Sequence, residues 1–484
     1  EGKELAPSSL IDNLRKLDET LPIEQMQGFL LEETAPEAAF HLLGGEMRRH
    51  SEETPISPLW QDIYTFFDEN EYWTDRLKLL KKGIGKSGKP ERLSSRTTKA
   101  LYGKNILSSV SRLERYAGCP FSFFAEYGLK AEERRLYQLH TPDLGSLFHE
   151  VLELFSNKLE EDSIQWKDLT KEKTEALIHT CVDEAAPRLS DRILMESAAN
   201  KYLIRRLKRV SVKAAWTLVQ HIQIGDFVPA GYEVGFGVHE ALPPIVIELG
   251  DGGSLILNGK IDRVDLLDAE GTRYVKIIDY KSGNKTFSFQ DIYYGLQLQL
   301  LVYLDAYLKY YQKTGAALKP GGVFYFRITE PTLSLDSEIS AEQIEQTLYE
   351  KMKMSGLLLQ EDILIESIDH NLKKDGAEDF SGSSAVVPVG FTKKGDFSST
   401  SNVASEKQYE AILQFVTDRT KEIGQAMKAG IITPLPFRDK DRSPCSYCSY
   451  RSICRHDYED KPKFRKLKKI SKADFWAEIA TDET

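Results

Sequence analysis

Apolar residues recur at helical spacing through the first part of the chain. Leu10, Leu14 and Leu17, then Trp60, Ile63, Phe66 and Phe67, predict amphipathic helices over residues 11–34 and 57–81. A Gly/Ser/Lys-rich stretch over 82–99 reads as a boundary loop. The helical pattern resumes over 107–129, opened by serines near Ser108 and Ser111 and interrupted at Pro120. Three more helices are expected at about 143–162, 167–188 and 192–223. From residue 227 the period changes to alternation. Residues 228–238, 254–267 and 273–281 read as strands, with turns at Asp251-Gly252-Gly253 and Glu270-Gly271. A helix over about 289–313, a strand at 322–328 and a helix over 340–355 follow. A polar segment to about 385, a short β pair around 386–396 and a long helix near 404–429 precede a cysteine group and a basic tail. Helices surround one central set of strands without an internal repeat, so the class is α/β.

Size and composition narrow this picture. A chain of 484 residues suggests two to four domains, and 10% aromatic content excludes disorder throughout. No run approaches the ~20 apolar residues of a membrane helix. The N-terminus, Glu1-Gly2-Lys3-Glu4-Leu5, shows no secretory pattern and no initiating methionine, so a processed product or a piece of a longer chain is expected. The net charge of −10 argues mildly against nucleic-acid binding, but the basic residues are segregated. They crowd into 201–213, 461–472 and 76–99, each of which is either a solvated face or a phosphate-binding stripe. Gly83-Ile84-Gly85-Lys86-Ser87 is not a phosphate loop: Leu80 stands where the first glycine is needed, and no apolar strand leads in.

The chemistry concentrates around Ile277-Ile278-Asp279-Tyr280-Lys281, which comes after Gly259-Lys260-Ile261-Asp262-Arg263-Val264-Asp265. Alternate side chains of a strand share a face, so Asp279 and Lys281 point the same way. Two carboxylates from neighbouring strands beside an ammonium suit metal-assisted phosphodiester hydrolysis, in which a hard cation such as Mg²⁺ takes oxygen ligands. Taken singly, Asp-x-Lys is a common strand-end ion pair, and Asp262 could be a turn residue. His149 lies just off the apolar stripe Leu144, Phe148, Leu152 and Phe155, near Gly145, where it can face a cleft. A lone helix histidine is more often structural. Gln299 and Tyr303, four apart, share a helical face, which in isolation marks the edge of a core.

Cys445, Cys448 and Cys454 form a tight trio, and Cys119 lies 326 residues before Cys445, in Arg115-Tyr116-Ala117-Gly118-Cys119-Pro120-Phe121. Zinc modules usually show two compact pairs, so one remote cysteine plus a trio fits a four-thiolate iron–sulfur cluster at least as well. Such a site would tie the two ends of a domain together. Cys181, among Leu177 and Ile178, reads as core.

Together these segments resemble the RecB-type nucleases of the PD-(D/E)xK superfamily, and most closely the B-subunit family of the bacterial AddAB helicase–nucleases. The likeness runs in order through Ser109-Val110-Ser111-Arg112-Leu113-Glu114, Cys119-Pro120-Phe121, Gly145 to His149, the two strand motifs, Gln299-Leu300-Leu301-Val302-Tyr303 and the cysteine trio. Ile261 stands where the superfamily name implies proline, a normal substitution in the RecB branch.

The resemblance implies a restriction-endonuclease-like central mixed sheet flanked by helices. It divides the chain into a helicase-like remnant and linker over 1–105, a nuclease domain with its cluster over 106–460, and a basic tail over 461–484. It implies Mg²⁺ held by His149, Asp262, Asp279 and the Tyr280 carbonyl, with Lys281 serving the attacking water. Gln299 and Tyr303 would support the site or contact DNA. Cys119, Cys445, Cys448 and Cys454 would bind a structural [4Fe–4S] cluster. It further implies a cytoplasmic heterodimer with the AddA helicase–nuclease subunit, processing DNA ends for homologous recombination by cutting the 5′-terminated single strand. The stretch before residue 106 is short for such a subunit, so the chain is expected to be a C-terminal part of one, without ATP binding, unwinding or Chi recognition of its own. The competing readings are a catalytically inactive DNA- or partner-binding scaffold stapled by the four cysteines, and a zinc-bearing regulatory module.

Overall fold

The computed structural model describes residues 35–51, 56–84, 92–132, 141–188, 198–250, 252–315, 317–328, 331, 340–372, 374–375, 379–380, 382–454, 456 and 464–480. The helix expected over 11–34 lies outside them. Two compact units emerge, one reaching to Lys89 and one beginning at Pro90.

Among the described residues the first unit holds three helices, Pro36–Ser51, Pro58–Glu69 and Glu71–Ile84. The single helix expected over 57–81 is broken at Asn70, whose extended backbone separates two helices and whose side chain accepts the N–H of Tyr72 at 3.0 Å. Phe40, Leu43, Phe67, Trp73 and Leu77 form the core of this unit.

The second unit begins where a loop was expected over 82–99. Instead Ser95–Tyr102 is helical, because Ser94 caps it by accepting from Thr97 and Gly103 closes it at φ 79°. Among the described helices of this unit are α1 (Val110–Gly118), α2 (Thr141–Glu161), α3 (Ala198–Gln223), α4 (Gln299–Lys313) and α5 (Glu406–Lys428). They surround a sheet of β1 (Val228–Phe236), β2 (Gly259–Ala269), β3 (Thr272–Lys281), β4 (Leu318–Arg327), β5 (Ser355–Leu359) and β6 (Val403–Ala404). The spatial order is β6-β5-β4-β3-β2-β1. β1, β2 and β3 pair antiparallel, β3 runs parallel to β4, β5 is antiparallel to β4, and β6 is parallel to β5. The sheet is therefore mixed, as expected. The parallel step requires a crossover, and α4 supplies it by packing back on β3 and β4.

Several boundaries differ from expectation. Residues 254–267 are not one strand: Ser254–Leu257 pairs with Ile106–Ser108 and Ile245–Glu248 in a separate three-stranded sheet, and the chain crosses at Asn258 into β2. The helix expected from 107 thus begins only at Val110, with Ser109 as its cap. The helix expected over 289–313 divides into Phe289–Tyr293 and α4, with Gly295 at φ 73° turning the chain between them. The helix at 340–355 stops at Lys351, and Ser355–Leu359 enters the sheet as β5. The β pair around 386–396 is reduced to isolated bridges such as Ser383 to Gly390.

One face of β2 and β3 carries a buried ionic network. Arg263 donates to Asp265 at 2.6 and 3.0 Å, and Lys276 lies 3.0 Å from the same carboxylate. Trp166 stacks over the Arg263 guanidinium at 4.9 Å. No helix among the described residues is long and apolar enough to cross a membrane.

Candidate active site

The opposite face of the same two strands carries the expected constellation. Arg263 pairs with Ile278 in the antiparallel β2–β3 ladder, so one step on Asp262 stands across from Asp279. The Asp262 carboxylate accepts the Tyr280 N–H at 2.6 Å. The Tyr280 carbonyl in turn lies 3.0 Å from Nε2 of His149. Helix α2 brings that histidine in because Gly145, one turn earlier, lets it approach the loop after β3: a Cβ there would stand 3.1 Å from the Ser282 hydroxyl. His149 Nδ1 is 3.5 Å from Asp262 and 3.7 Å from Glu233.

Glu233 is the member that sequence reasoning missed. Tyr232 pairs with Arg263 and Val234 with Ile261, which places Glu233 opposite Asp262. Its backbone sits at φ 47°, a left-handed conformation uncommon for a non-glycine residue. Glycines at 231 and 235 flank it in the sequence; that pair, in a strand neighbouring the Asp262 motif, was the available signal. The ligand atoms of His149, Glu233 and Asp262 all fall within 4.8 Å of one another, an arrangement able to hold a metal ion. His149 and Glu233 border a cleft of about 560 Å³ that Glu150 and Glu153 also line.

Asp279 is 1% exposed and neither carboxylate oxygen has a hydrogen-bond partner, although Lys281 Nζ makes an ionic contact of 2.5 Å. Burial, and then the Asp262 charge, push its carboxyl up to about 7 against the pull of Lys281. Lys281 itself stays above its ordinary value: burial pulls it down, but Asp279 outweighs burial. His149 is likewise pushed down by burial, yet hydrogen bonding to Asp262 and Glu233 raises it to about 10. Lys281 and His149 therefore face three acids, Asp262, Asp279 and Glu233, in the site. Lys281 donates to Gln299 Oε1 at 3.2 Å, and Gln299 lies 3.4 Å from the Tyr303 hydroxyl on the next turn of α4.

Cys119, Cys445 and Cys448 lie near one another elsewhere in the unit. Cys119 ends α1, and burial pushes its thiol up to about 11, with Cys445 and Cys448 adding to the rise. Cys448 Sγ is 3.9 Å from the Ser122 hydroxyl. Cys454 closes the short helix Arg451–Cys454, its Sγ 3.7 Å from the Arg451 carbonyl. Among the described residues no three thiols share a space of 4.8 Å. Cys181 is fully buried in the core, as expected.

Residues 108–455 match the PD-(D/E)XK nuclease superfamily. The chain belongs to that superfamily. Residues 34–83 match the fifth domain of the ATP-dependent helicase/deoxyribonuclease AddB. Over 466 residues the chain is 40% identical to the B subunit of the ATP-dependent helicase/deoxyribonuclease of Alkaliphilus oremlandii (strain OhILAs), covering 95% of this chain and 40% of that protein. The same-named proteins of Thermoanaerobacter sp. (strain X514) and Clostridium botulinum (strain Loch Maree / Type A3) are 33% and 35% identical, covering 98% and 95% of this chain and 41% and 40% of theirs. The chain thus spans about two fifths of the length of these relatives. The likeness to the B-subunit family holds through both units of this PD-(D/E)XK nuclease homologue. Of its expected site residues, the structure draws His149, Asp262, Asp279, Tyr280, Lys281, Gln299 and Tyr303 into one connected group.

Proposed function

We propose that this chain is a Mg²⁺-dependent deoxyribonuclease unit that hydrolyses phosphodiester bonds of single-stranded DNA. The observation that carries the reading is the facing pair Asp262 and Asp279 with Lys281 beside them. The donor set fits a hard divalent ion: carboxylates, a backbone carbonyl and one imidazole, with both oxygens of buried Asp279 left without hydrogen bonds. Asp262, Asp279, the Tyr280 carbonyl and His149 would hold the ion, with Glu233 as a further carboxylate. When bound, Mg²⁺ would lower the pKa of a coordinated water and offset charge on the phosphate. Lys281 keeps its proton and serves as a fixed cation and donor toward the attacking water or a phosphate oxygen. Gln299 holds its ammonium in place, and Tyr303 steadies Gln299.

Substrate and partners follow by family. The single strand is the 5′-terminated one at a duplex end, delivered by an AddA-type helicase–nuclease subunit during recombinational repair. Phosphate contacts through the basic stretches would make binding salt-sensitive. Cys119, Cys445, Cys448 and Cys454 would hold a [4Fe–4S] cluster that anchors the ends of the domain. Support comes from the approach of Cys119 to Cys445 and Cys448.

The test is cleavage of an end-labelled oligonucleotide in Mg²⁺ by wild type and Asp279→Ala. The variant should fold and show no metal-dependent cleavage; full cleavage by it refutes the site. Purified wild type should be brown with broad absorption near ~400 nm, and a colourless, fully active Cys448→Ser protein of unchanged stability would remove the cluster from the reading.

A further inference from the structure

Helix α1 carries a carboxylate that the proposed mechanism does not use. Glu114 is largely buried and reaches the start of α4, where its Oε1 accepts the N–H groups of Leu298 at 2.8 Å and Gln299 at 3.1 Å. These are two of the orphan donors that a helix leaves at its first turn. An acid there also meets the positive end of the helix dipole. The cap comes from a distant part of the sequence: Leu298, the residue at the helix start, has no side chain able to cap. The other oxygen of Glu114 lies 3.1 Å from Lys285 Nζ, and the ammonium of Lys285 stands 5.4 Å over the Tyr325 ring that Lys281 also faces at 5.8 Å.

What Glu114 anchors is the first residue of α4, and that residue is Gln299, whose side chain accepts from Lys281. The loop between β3 and α4 has a second tie, since buried Gln297 accepts from Ser288 at 2.8 Å and donates to the Thr286 carbonyl at 2.8 Å. That tie closes the loop on itself. Glu114 alone among these contacts joins the start of α4 to another helix.

We propose that Glu114 is a positioning residue for the catalytic lysine: by capping α4 from α1 it fixes Gln299, and Gln299 fixes the Lys281 ammonium. The proposal rests on the role of Lys281 in the nuclease reading. Because the anchor works through distance, side-chain length matters more than charge. Glu114→Gln keeps an oxygen at the same reach, whereas Glu114→Asp keeps the charge but withdraws it by one methylene.

In the 484-residue chain, Glu114→Asp and Glu114→Ala should lower kcat for Mg²⁺-dependent cleavage of a single-stranded oligonucleotide on the order of 10²-fold, with KM within about threefold, the pattern of a misplaced group rather than a lost binding contact. Glu114→Gln should stay within about tenfold of wild type, since a neutral acceptor makes the weaker bond. A second readout needs neither metal nor DNA: amine-reactive labelling followed by peptide mass spectrometry should show Lys281 modified several-fold faster in Glu114→Asp than in wild type. Wild-type kcat in Glu114→Asp overturns the proposal, as does Glu114→Gln falling as low as Glu114→Ala or unchanged labelling of Lys281. Failure of the wild type to cleave DNA would instead strike the nuclease reading, while the labelling comparison still decides the role of Glu114.

Discussion

Asp262 accepts the backbone N–H of Tyr280 at 2.6 Å, so the acid on β2 is fixed by the residue between Asp279 and Lys281 on β3. The two carboxylates are therefore held near each other whether or not a cation lies between them. Asp279 bears the consequence, since burial and Asp262 push it up to about 7.

In metal-free protein this becomes a pH-dependent stability. The folded-state value lies above the ordinary carboxylate value of about 3.9, so the unfolded state gives up the proton first. Stability should fall as pH rises from about 4 to about 7, with a slope of at most about 1.4 kcal/mol per unit, and level off above. Asp279→Asn removes that fall. Urea unfolding of both proteins between pH 4 and 8 with a chelator present should show their stabilities diverging in favour of the variant. Parallel curves would mean that the carboxylate is not strained.

Asp265 lies on β2 three residues beyond Asp262 and on the opposite face, and removing its carboxylate has a different meaning there. It is fully buried and holds both Arg263 and Lys276. Asp265→Ala would leave two buried cations unpaired, at a cost of about 3–5 kcal/mol. Denaturant unfolding should show this loss, while Asp262→Ala abolishes cleavage with a smaller stability cost. If the two variants have equal stability, the ionic network contributes nothing to the fold.

The face that does chemistry was legible in the sequence because strand alternation is local: Asp279 and Lys281 share a face whatever the rest of the molecule does. The opposition of Asp262 to Asp279 needed only the tight Glu270-Gly271 turn, which sets the register of β2 on β3. Glu233 was not legible for the converse reason. Its place depends on the pairing of β1 with β2 across an intervening small sheet and on a left-handed backbone; the flanking glycines at 231 and 235 mark an irregular strand but not what Glu233 faces. The division of 254–267 between two sheets was hidden in the same way, since both halves alternate alike and only tertiary pairing separates them. Gln299 and Tyr303 showed their common helical face, but not the Glu114 cap that decides where the face begins.

Metal affinity is the measure of Glu233. Replacing it with glutamine keeps the shape and removes a charge from the group formed with His149 and Asp262. Calorimetric titration with Mg²⁺ or Mn²⁺ should show affinity weakened by at least about tenfold, the lower end of what losing a supporting carboxylate costs. Unchanged affinity would reduce Glu233 to the partner of Lys260, whose ammonium lies 3.6 Å away.

His221 offers a pH effect of opposite sign and remote from catalysis. It lies on α3, buried, with neither ring nitrogen hydrogen-bonded and its ring packed edge-on to Phe326 at 6.1 Å and Tyr349 at 5.5 Å. Burial first, then the nearby Lys276 and Arg263 charges, hold it down at about 3. Below about pH 6.5 the unfolded chain takes up a proton that the folded protein refuses, so stability should fall with decreasing pH by about 1.4 kcal/mol per unit until about 3. His221→Phe fits between the same rings and loses no hydrogen bond. It should match the wild type at pH 7.5, and its advantage should grow steadily between pH 6.5 and 4 in urea unfolding. An advantage independent of pH would mean that packing, not protonation, distinguishes the two side chains.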